Sequence, residues 1–523
     1  MRHKMLKTLA GLAIALTMNP GHGADLAEDL PELNIDIKQT TVSGISSGAF
    51  MAVQVGVAKS SSVKGVAITA GGPYFCALQS SFGGAGSTIA IGRCMQGDPM
   101  FPTRPITSDD LKQMEGAARD WSEKGKIDPV SNLANQAVWV FHGYNDGVVK
   151  LPVSQALVDW YGRFTPKSQI FHKDSLNAAH AQISAACGDS GTSSCNLCPA
   201  TGGKFINSCG DQPPVSGQLY DAAGAALQLF YGPLARTESG KLNARPQAFS
   251  QAPYLKQRDG TTPVDKPDDI AMGKTGYVYV PESCRQVGQP CRLHIAFHGC
   301  MQSATTLGTD FVDNAGVNEW ADANNIVVLY PQAMPTMGMR LPLNPNGCWD
   351  WWGYNDTQDM STLGARAGTF ATRDGVQIAA VWRMVEKLTS KGSAAASASI
   401  SGPTTRLMVV DQSDRQAVLR WQAVEGASGY RVYRASAGKT PVALGKARNQ
   451  PFLVDAGLSP STLYTYTVRP VIGGSEVAGS NEVSVTTARK PPACNPYFSM
   501  LLGKPVKPYP GVPTGMPTTD VCQ

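Results

Sequence analysis

Between Leu26 and about Leu388 two hydrophobic rhythms alternate along the chain. Short, β-branched runs read as strands: Gln39-Thr40-Thr41-Val42, Val63 to Ala70, Ala137 to Phe141, Gly276 to Val280, Leu293 to Phe297, and Ile326 to Tyr330, closed by Pro331. Between them, apolar positions recur at helical spacing or fill small-residue stretches: Ala49 to Ala58, Gln155 to Tyr161, Val376 to Val385. Strands alternating with helices predict an α/β sheet with helices on both faces. A Ser/Ala-rich stretch follows, Ser390 to Ser399, with the composition of a linker. Beyond it the period falls to two. Ala417 to Trp421, Tyr430 to Arg434, Tyr464 to Val471 and Glu482 to Thr486 predict a compact β-sandwich. From about Ala488 the chain is Pro-rich and has no regular pattern. These shifts divide it into a catalytic-sized unit at 25–390, a linker at 391–404, a sandwich at 405–487 and a tail at 488–523.

Composition changes this picture at one end. Arg2, Lys4 and Lys7 precede the apolar run Leu9 to Met18, then come Pro20, Gly21 and the small residues Gly23-Ala24. This is the layout of a secretory signal at 1–24, too short to span a bilayer. The net charge of +5 falls to about +2 without those three basic residues, so neither nucleic acid nor another polyanion is implied as a partner. No later run has the length and hydropathy of a membrane span. Export also gives the 12 cysteines a meaning, since an even number beyond the leader should pair in an oxidising compartment. Local spacing pairs Cys76 with Cys94, Cys284 with Cys291, Cys300 with Cys348, and Cys494 with Cys522. Cys187, Cys195, Cys198 and Cys209 would make two further bridges, or Cys195-x-x-Cys198 would be half of a zinc site.

The candidate chemistry centres on Gly44-Ile45-Ser46-Ser47-Gly48, a G-x-S-x-G between a strand and an apolar helix. A strand, a tight turn and a helix make a nucleophile elbow, with Ser46 lifted to the top of the sheet; the plain alternative is an ordinary Gly/Ser turn. A serine hydroxyl needs a base, and the base an orienting acid. Of seven histidines two fall in the leader, leaving His142, His172, His180, His294 and His298. In α/β-hydrolases the order is nucleophile, acid, histidine, with the acid just after a strand. Asp146, in the turn after Ala137–Phe141, fits the acid, its alternative being a plain turn-former. His180, among small neighbours, fits the base, with His172 as its rival. The oxyanion needs two backbone donors. Ser47 would supply one, and two H-G turns offer the other: Phe141-His142-Gly143 is already used by the acid, so Phe297-His298-Gly299-Cys300 would supply it through Cys300, the plain alternative being a simple strand-end turn. That turn follows the triad instead of preceding the nucleophile, so the sheet would be circularly permuted. The densest aromatic cluster, Trp349-Asp350-Trp351-Trp352-Gly353-Tyr354, offers core packing and at least one ring near a cleft.

Taken together, the elbow at Ser43–Ala49, the Phe141-His142-Gly143-x-x-Asp146 turn, Asn177-Ala178-Ala179-His180, His298-Gly299-Cys300-Met301-Gln302 and Cys348-Trp349-Asp350-Trp351-Trp352-Gly353-Tyr354 resemble the extracellular poly(3-hydroxybutyrate) depolymerases. The resemblance covers roughly residues 35–390 and is closest to the type whose lipase box precedes the oxyanion loop. It implies a circularly permuted α/β-hydrolase with Ser46 as nucleophile, Asp146 as acid and His180 as base. It also implies an oxyanion hole from the amides of Ser47 and Cys300, with Trp349 and Trp352 lining the substrate cleft. Trp421, Tyr430 to Tyr433 and Leu458 to Tyr464 resemble a fibronectin type III domain, which would make Tyr464 its tyrosine-corner residue. Such depolymerases often end in a domain that adsorbs to solid polymer. Here only about 35 residues follow the sandwich, which leaves crystalline polymer, amorphous polymer and soluble oligomers all open. The implied activity is a secreted serine esterase, extracellular or periplasmic and monomeric, needing no metal or cofactor and acting on a polyester or oligo-hydroxyalkanoate. The alternatives are a feruloyl or acetyl-xylan type of carboxylesterase, or a non-catalytic binding protein.

Overall fold

The computed structural model describes residues 29–77, 89–96, 104–188, 195–210, 219–337, 343–356, 368–392, 405–445 and 448–491. The leader, most of the linker and the Cys494–Cys522 pair lie outside the described residues.

The sheet begins with β1 (Ile35–Ile45), longer than the four residues expected and central to everything that follows. The helix α1 (Ser47–Ala58) leaves it directly, and all twelve of its residues are buried. Next come β2 (Val63–Thr69), α2 (Ser108–Glu123), β3 (Ala137–Phe141), α3 (Leu151–Tyr161) and β4 (Ile170–Lys173). The start of α2 shows how local chemistry sets a boundary: Thr107 Oγ1 accepts from Asp110 N–H while the Asp110 carboxylate accepts from Thr107 N–H. Three short strands, β5 (Gln182–Ile183), β6 (Asn196–Leu197) and β7 (Ile206–Ser208), form a small side sheet. After α4 (Ala222–Tyr231) the chain returns to the main sheet with β8 (Gln247–Ser250), β9 (Thr275–Tyr279), β10 (Cys291–Phe297) and β11 (Ile326–Tyr330). The helix α5 (Val376–Leu388) completes this part.

The order across the sheet is β4-β3-β2-β1-β10-β11-β9-β8. Strands β1 to β4, β10 and β11 run parallel; β9 is antiparallel to β11, and β8 to β9. Counted from β8, the strands follow chain order with one exchange, of β10 and β11, and then continue from β1 to β4. The half-sheet that comes second in the chain therefore sits where the first half of an unpermuted hydrolase sheet would be, and the fold is a circularly permuted α/β-hydrolase. Each face has its own core. One holds Val42, Val66, Val138, Leu293, Trp160, Trp349 and Met384. The other holds Trp139, Phe141, Phe171, Leu229, Phe230 and Trp320.

The sandwich follows, with β12 (Leu407–Gln412), β13 (Gln416–Trp421), β14 (Gly429–Ser436), β15 (Val442–Ala443), β16 (Phe452–Ala456), β17 (Leu463–Ile472), β18 (Ser475–Glu476) and β19 (Val483–Thr486). One sheet is β12-β13-β16; the other is β15-β14-β17-β18 with β19 on β17. Trp421, Tyr430, Leu453, Tyr466 and Val468 fill the space between them. Tyr464 Oη accepts from Ser459 N–H at 3.0 Å, the tyrosine corner of a fibronectin type III-like sandwich. The sandwich does not stand apart: Val418, Phe452 and Val454 belong to the same buried cluster as Trp139 and Phe230 of the main sheet. Among the described residues the disulfides are Cys76–Cys94, Cys187–Cys195, Cys198–Cys209, Cys284–Cys291 and Cys300–Cys348. All four sulfurs of the 187–209 segment are thus in bridges, and the zinc half-site reading falls.

Candidate active site

Ser46 follows β1 and stands at the N-cap of α1 with φ 55° and ψ −124°. A non-glycine residue held there costs on the order of 1–3 kcal/mol and persists only where its surroundings impose it. Those surroundings are specific. Ser46 N–H donates to Thr69 O at 3.0 Å, and Ser46 O accepts from Ala49 N–H and Phe50 N–H. The two motif glycines are required by close approach. A Cβ on Gly44 would lie 2.1 Å from Gly48 O, and a Cβ on Gly48 would lie 2.3 Å from His298 O. The second contact presses the start of α1 against the end of β10, and so brings the elbow and the His298-Gly299 turn together.

Asp146 sits in the turn after β3, 6% exposed. Its Oδ1 accepts from Val148 N–H at 2.8 Å and Val149 N–H at 3.0 Å. Its Oδ2 lies 2.8 Å from His180 Nδ1. Burial alone would raise this carboxyl, but the charge and hydrogen bond of His180, the His142 ring and the Val148 amide bring it below its ordinary value. An ionised Asp146 keeps the proton of His180 on Nδ1 and leaves Nε2 free to take one. The acid and base loops interlock through backbone bonds: Tyr144 N–H to Leu176 O at 3.0 Å, Asn145 N–H to Ala178 O at 3.2 Å. Gly143 allows this, because a Cβ there would meet Ala178 O at 2.0 Å. Ala179 N–H donates to Cys198 O, so the Cys198–Cys209 bridge and the side sheet back the His180 loop. Among the described residues Ser46 Oγ has no hydrogen-bond partner, His180 Nε2 included. Such bonds are often long before substrate binds and tighten with it.

The second donor loop lies over the elbow, with a Cβ on Gly299 falling 3.4 Å from Ser46 Cβ. His298, fully buried, is held by Gly299 O at 2.7 Å on Nδ1 and by Ala333 N–H at 3.2 Å on Nε2. Since the Ala333 amide can only donate, Nε2 accepts and Nδ1 carries the proton. Burial pushes His298 down to about 4, so it stays neutral in this role. Gly299 O also accepts from Gln302 N–H, while Gln302 Oε1 accepts from Gly299 N–H at 2.7 Å. In a planar trans peptide the N–H of Cys300 points opposite to that held carbonyl. Neither Cys300 N–H nor Ser47 N–H donates to any described group, so two free amides flank the nucleophile position. The Cys300–Cys348 bridge ties this loop to the aromatic segment.

Ser46, Asp146, His180, Ser47 and Cys300 therefore all lie at the carboxyl edge of the sheet. His172 stays on β4, its Nε2 2.9 Å from Ser154 Oγ. The expectation that Trp349 lines the cleft is corrected. It is 0% exposed and packs beneath the His298-Gly299 turn, its ring 5.3 Å from that of His298 and 5.0 Å from Phe297. Trp352 is half-buried against Trp351 and Tyr354 and keeps a partly open face. Two residues that the motifs contain without assigning them a role support the site. Gln302 also donates to Lys204 O and Phe205 O, and His142 Nε2 donates to Val149 O at 2.7 Å behind the acid turn. An open cleft of about 170 Å³ between α4 and β12, lined by Tyr220, Asp221, Trp320 and Asp411, contains none of these site residues.

No family model matches the chain. A poly(3-hydroxybutyrate) depolymerase of Delftia acidovorans is 35% identical over 492 residues, 91% of this chain and 84% of the relative. A polyhydroxybutyrate depolymerase of Talaromyces funiculosus is 32% identical over 371 residues, 70% of this chain and 93% of the relative. The crystal structure of the PHB depolymerase from Penicillium funiculosum aligns with a TM-score of 0.56 at 31% identity, over 70% of this chain and all of that one. A serine-to-alanine variant of a PHB depolymerase, complexed with an R3HB trimer, aligns with the same TM-score at 30% identity and the same coverage. With the sheet order, the strained elbow and this similarity together, the chain belongs to the poly(3-hydroxybutyrate) depolymerase family, serine hydrolases that act on carboxylic ester bonds.

Proposed function

We propose that this protein is a secreted serine esterase that hydrolyses poly(3-hydroxybutyrate) or related short-chain polyhydroxyalkanoate esters. The observation that carries the reading is the 2.8 Å bond from His180 Nδ1 to Asp146 Oδ2, in a loop pair interlocked behind a strained Ser46. In this mechanism Ser46 Oγ attacks the ester carbonyl as its proton passes to His180 Nε2. The oxyanion accepts from Ser47 N–H and Cys300 N–H. His180 then protonates the leaving hydroxyl, which departs with the new chain end and leaves an acyl-enzyme. Water, deprotonated by His180, attacks that ester, and the shorter hydroxyacid leaves as Ser46 regains its proton. The ionised Asp146 stabilises the imidazolium in both halves. Trp352 is the aromatic side chain proposed to meet the substrate.

Exposed apolar side chains on the loops that carry or brace the site favour a water-insoluble polyester: Leu197 (73% exposed), Met337 (74%) and Leu343 (56%). The proposed organisation is a leader at 1–24, a catalytic unit at 25–390, a linker at 391–404, a sandwich at 405–487 and a disulfide-stapled tail at 488–523. The disulfides and the basic-then-apolar N-terminus support export.

The test is clearing of a poly(3-hydroxybutyrate) suspension by the purified mature protein, with Ser46→Ala beside it. Clearing by the wild type alone is expected. Ser46-dependent cleavage of soluble hydroxybutyrate oligomers or p-nitrophenyl butyrate without clearing would move the substrate off the solid. Turnover by Ser46→Ala, or failure of an organophosphate to label Ser46, would remove the triad mechanism.

A further inference from the structure

At the sheet edge opposite the catalytic loops, three cations share one small region. Lys64 stands at the amino end of β2 and Arg292 at the amino end of β10; Arg420 reaches in from β13 of the sandwich. Lys64 Nζ lies 4.6 Å from the centre of the Tyr231 ring, and the Arg292 guanidinium lies 5.0 Å from the same centre. Tyr231 is itself fixed, its Oη within hydrogen-bond distance of Thr41 Oγ1 (2.7 Å), Gln39 O (2.9 Å) and Leu293 O (3.0 Å). Arg420 is 9% exposed, with its Nη2 at 3.4 Å from Phe230 O and its Nε without a partner among the described residues.

The charge balance at this place does not close. Among the described residues no carboxylate pairs with Lys64, Arg292 or Arg420. Lys64 donates only to the neutral Gln39 Oε1, at 2.5 Å, and the nearby Asp36 carboxylate accepts from Lys38 N–H. Burial lowers Lys64 to about 7, helped by the charges of Arg420 and Arg292 against the weaker pull of Asp36. Burial and Arg292 lower Arg420 in the same way, to about 10. The carboxyl end of α4 offers roughly half a negative charge, which offsets one cation in part but not three. Arg420 is buried while Lys64 and Arg292 are half-buried, and a buried cation ordinarily has a counter-charge and filled donors.

We propose that Lys64, Arg292 and Arg420 form a binding site for a small oxyanion, where the amino ends of β2 and β10 meet the sandwich. Two guanidinium forks suit the planar oxygens of a carboxylate or the tetrahedral oxygens of sulfate or phosphate, and the ammonium adds a point charge. A hydroxyacid carboxylate and an inorganic anion share this chemistry. The site is far along the strands from Ser46 and does not depend on the esterase reading.

The experiment is calorimetric titration of the full mature chain with sodium sulfate and with sodium 3-hydroxybutyrate, at constant ionic strength. Wild type, Lys64→Gln and Arg292→Gln are compared at pH 6 and pH 8. The expected result is saturable sulfate binding with one anion per chain, weakened at least tenfold in each variant, with ester hydrolysis unchanged. Sulfate keeps its charge between the two pH values, so a loss of affinity at pH 8 in the wild type, absent in Lys64→Gln, reports deprotonation of Lys64. Competition by 3-hydroxybutyrate assigns the site to carboxylates as well; binding of sulfate alone assigns it to tetrahedral anions. No saturable sulfate binding, or equal affinity in the wild type and both variants, overturns the proposal.

Discussion

Lys173 Nζ lies 3.1 Å from Asp411 Oδ1, with the two side chains 1% and 2% exposed. The pair joins the last residue of β4 to the first strand of the sandwich. Asp411 Oδ2 also meets Tyr220 Oη at 2.5 Å and Trp139 Nε1 at 3.4 Å, so one carboxylate gathers β3, β4 and the approach to α4. Beside it the side chain of Gln416 acts as a further strand would. Its Oε1 accepts from His172 N–H at 2.8 Å and its Nε2 donates to Ile170 O at 3.2 Å, which covers the open edge of the sheet. A fibronectin-like unit that composition marks as a tethered module is thus built into the hydrolase core.

Removing one partner of so buried a pair strands a charge, so Asp411→Ala is expected to cost about 3–5 kcal/mol. Replacing both, as Lys173→Met with Asp411→Leu, should cost far less, because no charge is left behind. Thermal melts of the three proteins check this. Equal melting temperatures for the wild type and Asp411→Ala would refute the clamp.

Asp146→Asn keeps the shape of the turn but loses the anion that fixes the His180 tautomer. A fall of about ten-thousand-fold in kcat on a soluble ester is expected, with the melting temperature little changed. A loss below tenfold would show that another group orients His180.

Gly48→Ala places a methyl group 2.3 Å from His298 O and 2.4 Å from Phe297 O, both rigid backbone. The start of α1 and the Phe297-His298 turn must then separate. Beyond the roughly 1–3 kcal/mol of overpacking, kcat should fall by at least tenfold. Steady-state kinetics at a temperature well below unfolding separates this from global instability.

Acid should destabilise the protein through its buried neutral histidines. Burial lowers His298 to about 4 and His294 to about 3, where an unfolded chain titrates near 6.5. Between those values the unfolded state binds more protons, so stability falls as pH drops from about 6.5 towards 4. His294 is held by Thr41 Oγ1 at 2.8 Å and Ser43 Oγ at 2.7 Å. His294→Gln should flatten the decline in melting temperature over this range, and an unchanged slope would exclude that residue as a source.

The rhythm of apolar positions located β3 and β11 to the residue and the major sandwich strands to within a residue or two, because each is bounded by its own turn chemistry. It passed over β8, β12, β16 and the shortest strands, whose assignment rests on pairing with neighbours far away in the chain. At the site, the strained turn at Ser46 and the pairing of Asp146 with His180 were legible because a strand-turn-helix motif and a turn after a strand leave local signals. Trp349 was misread because an aromatic side chain has the same letter whether it faces a cleft or lies beneath one. Gln302 and His142 appeared in the motifs without a role of their own, and the bonds of Gln302 to Lys204 O and Phe205 O form only when distant loops meet. So the sequence alone determined most of the longer elements and the cysteine pairs Cys76–Cys94, Cys284–Cys291 and Cys300–Cys348, and it proposed the leader and the catalytic residues from local patterns. Tertiary structure decided the exchange of β10 and β11, the embedding of the sandwich through Asp411 and the aim of the Cys300 amide. Each of these depends on contacts between segments far apart in the chain, whose geometry no local pattern encodes.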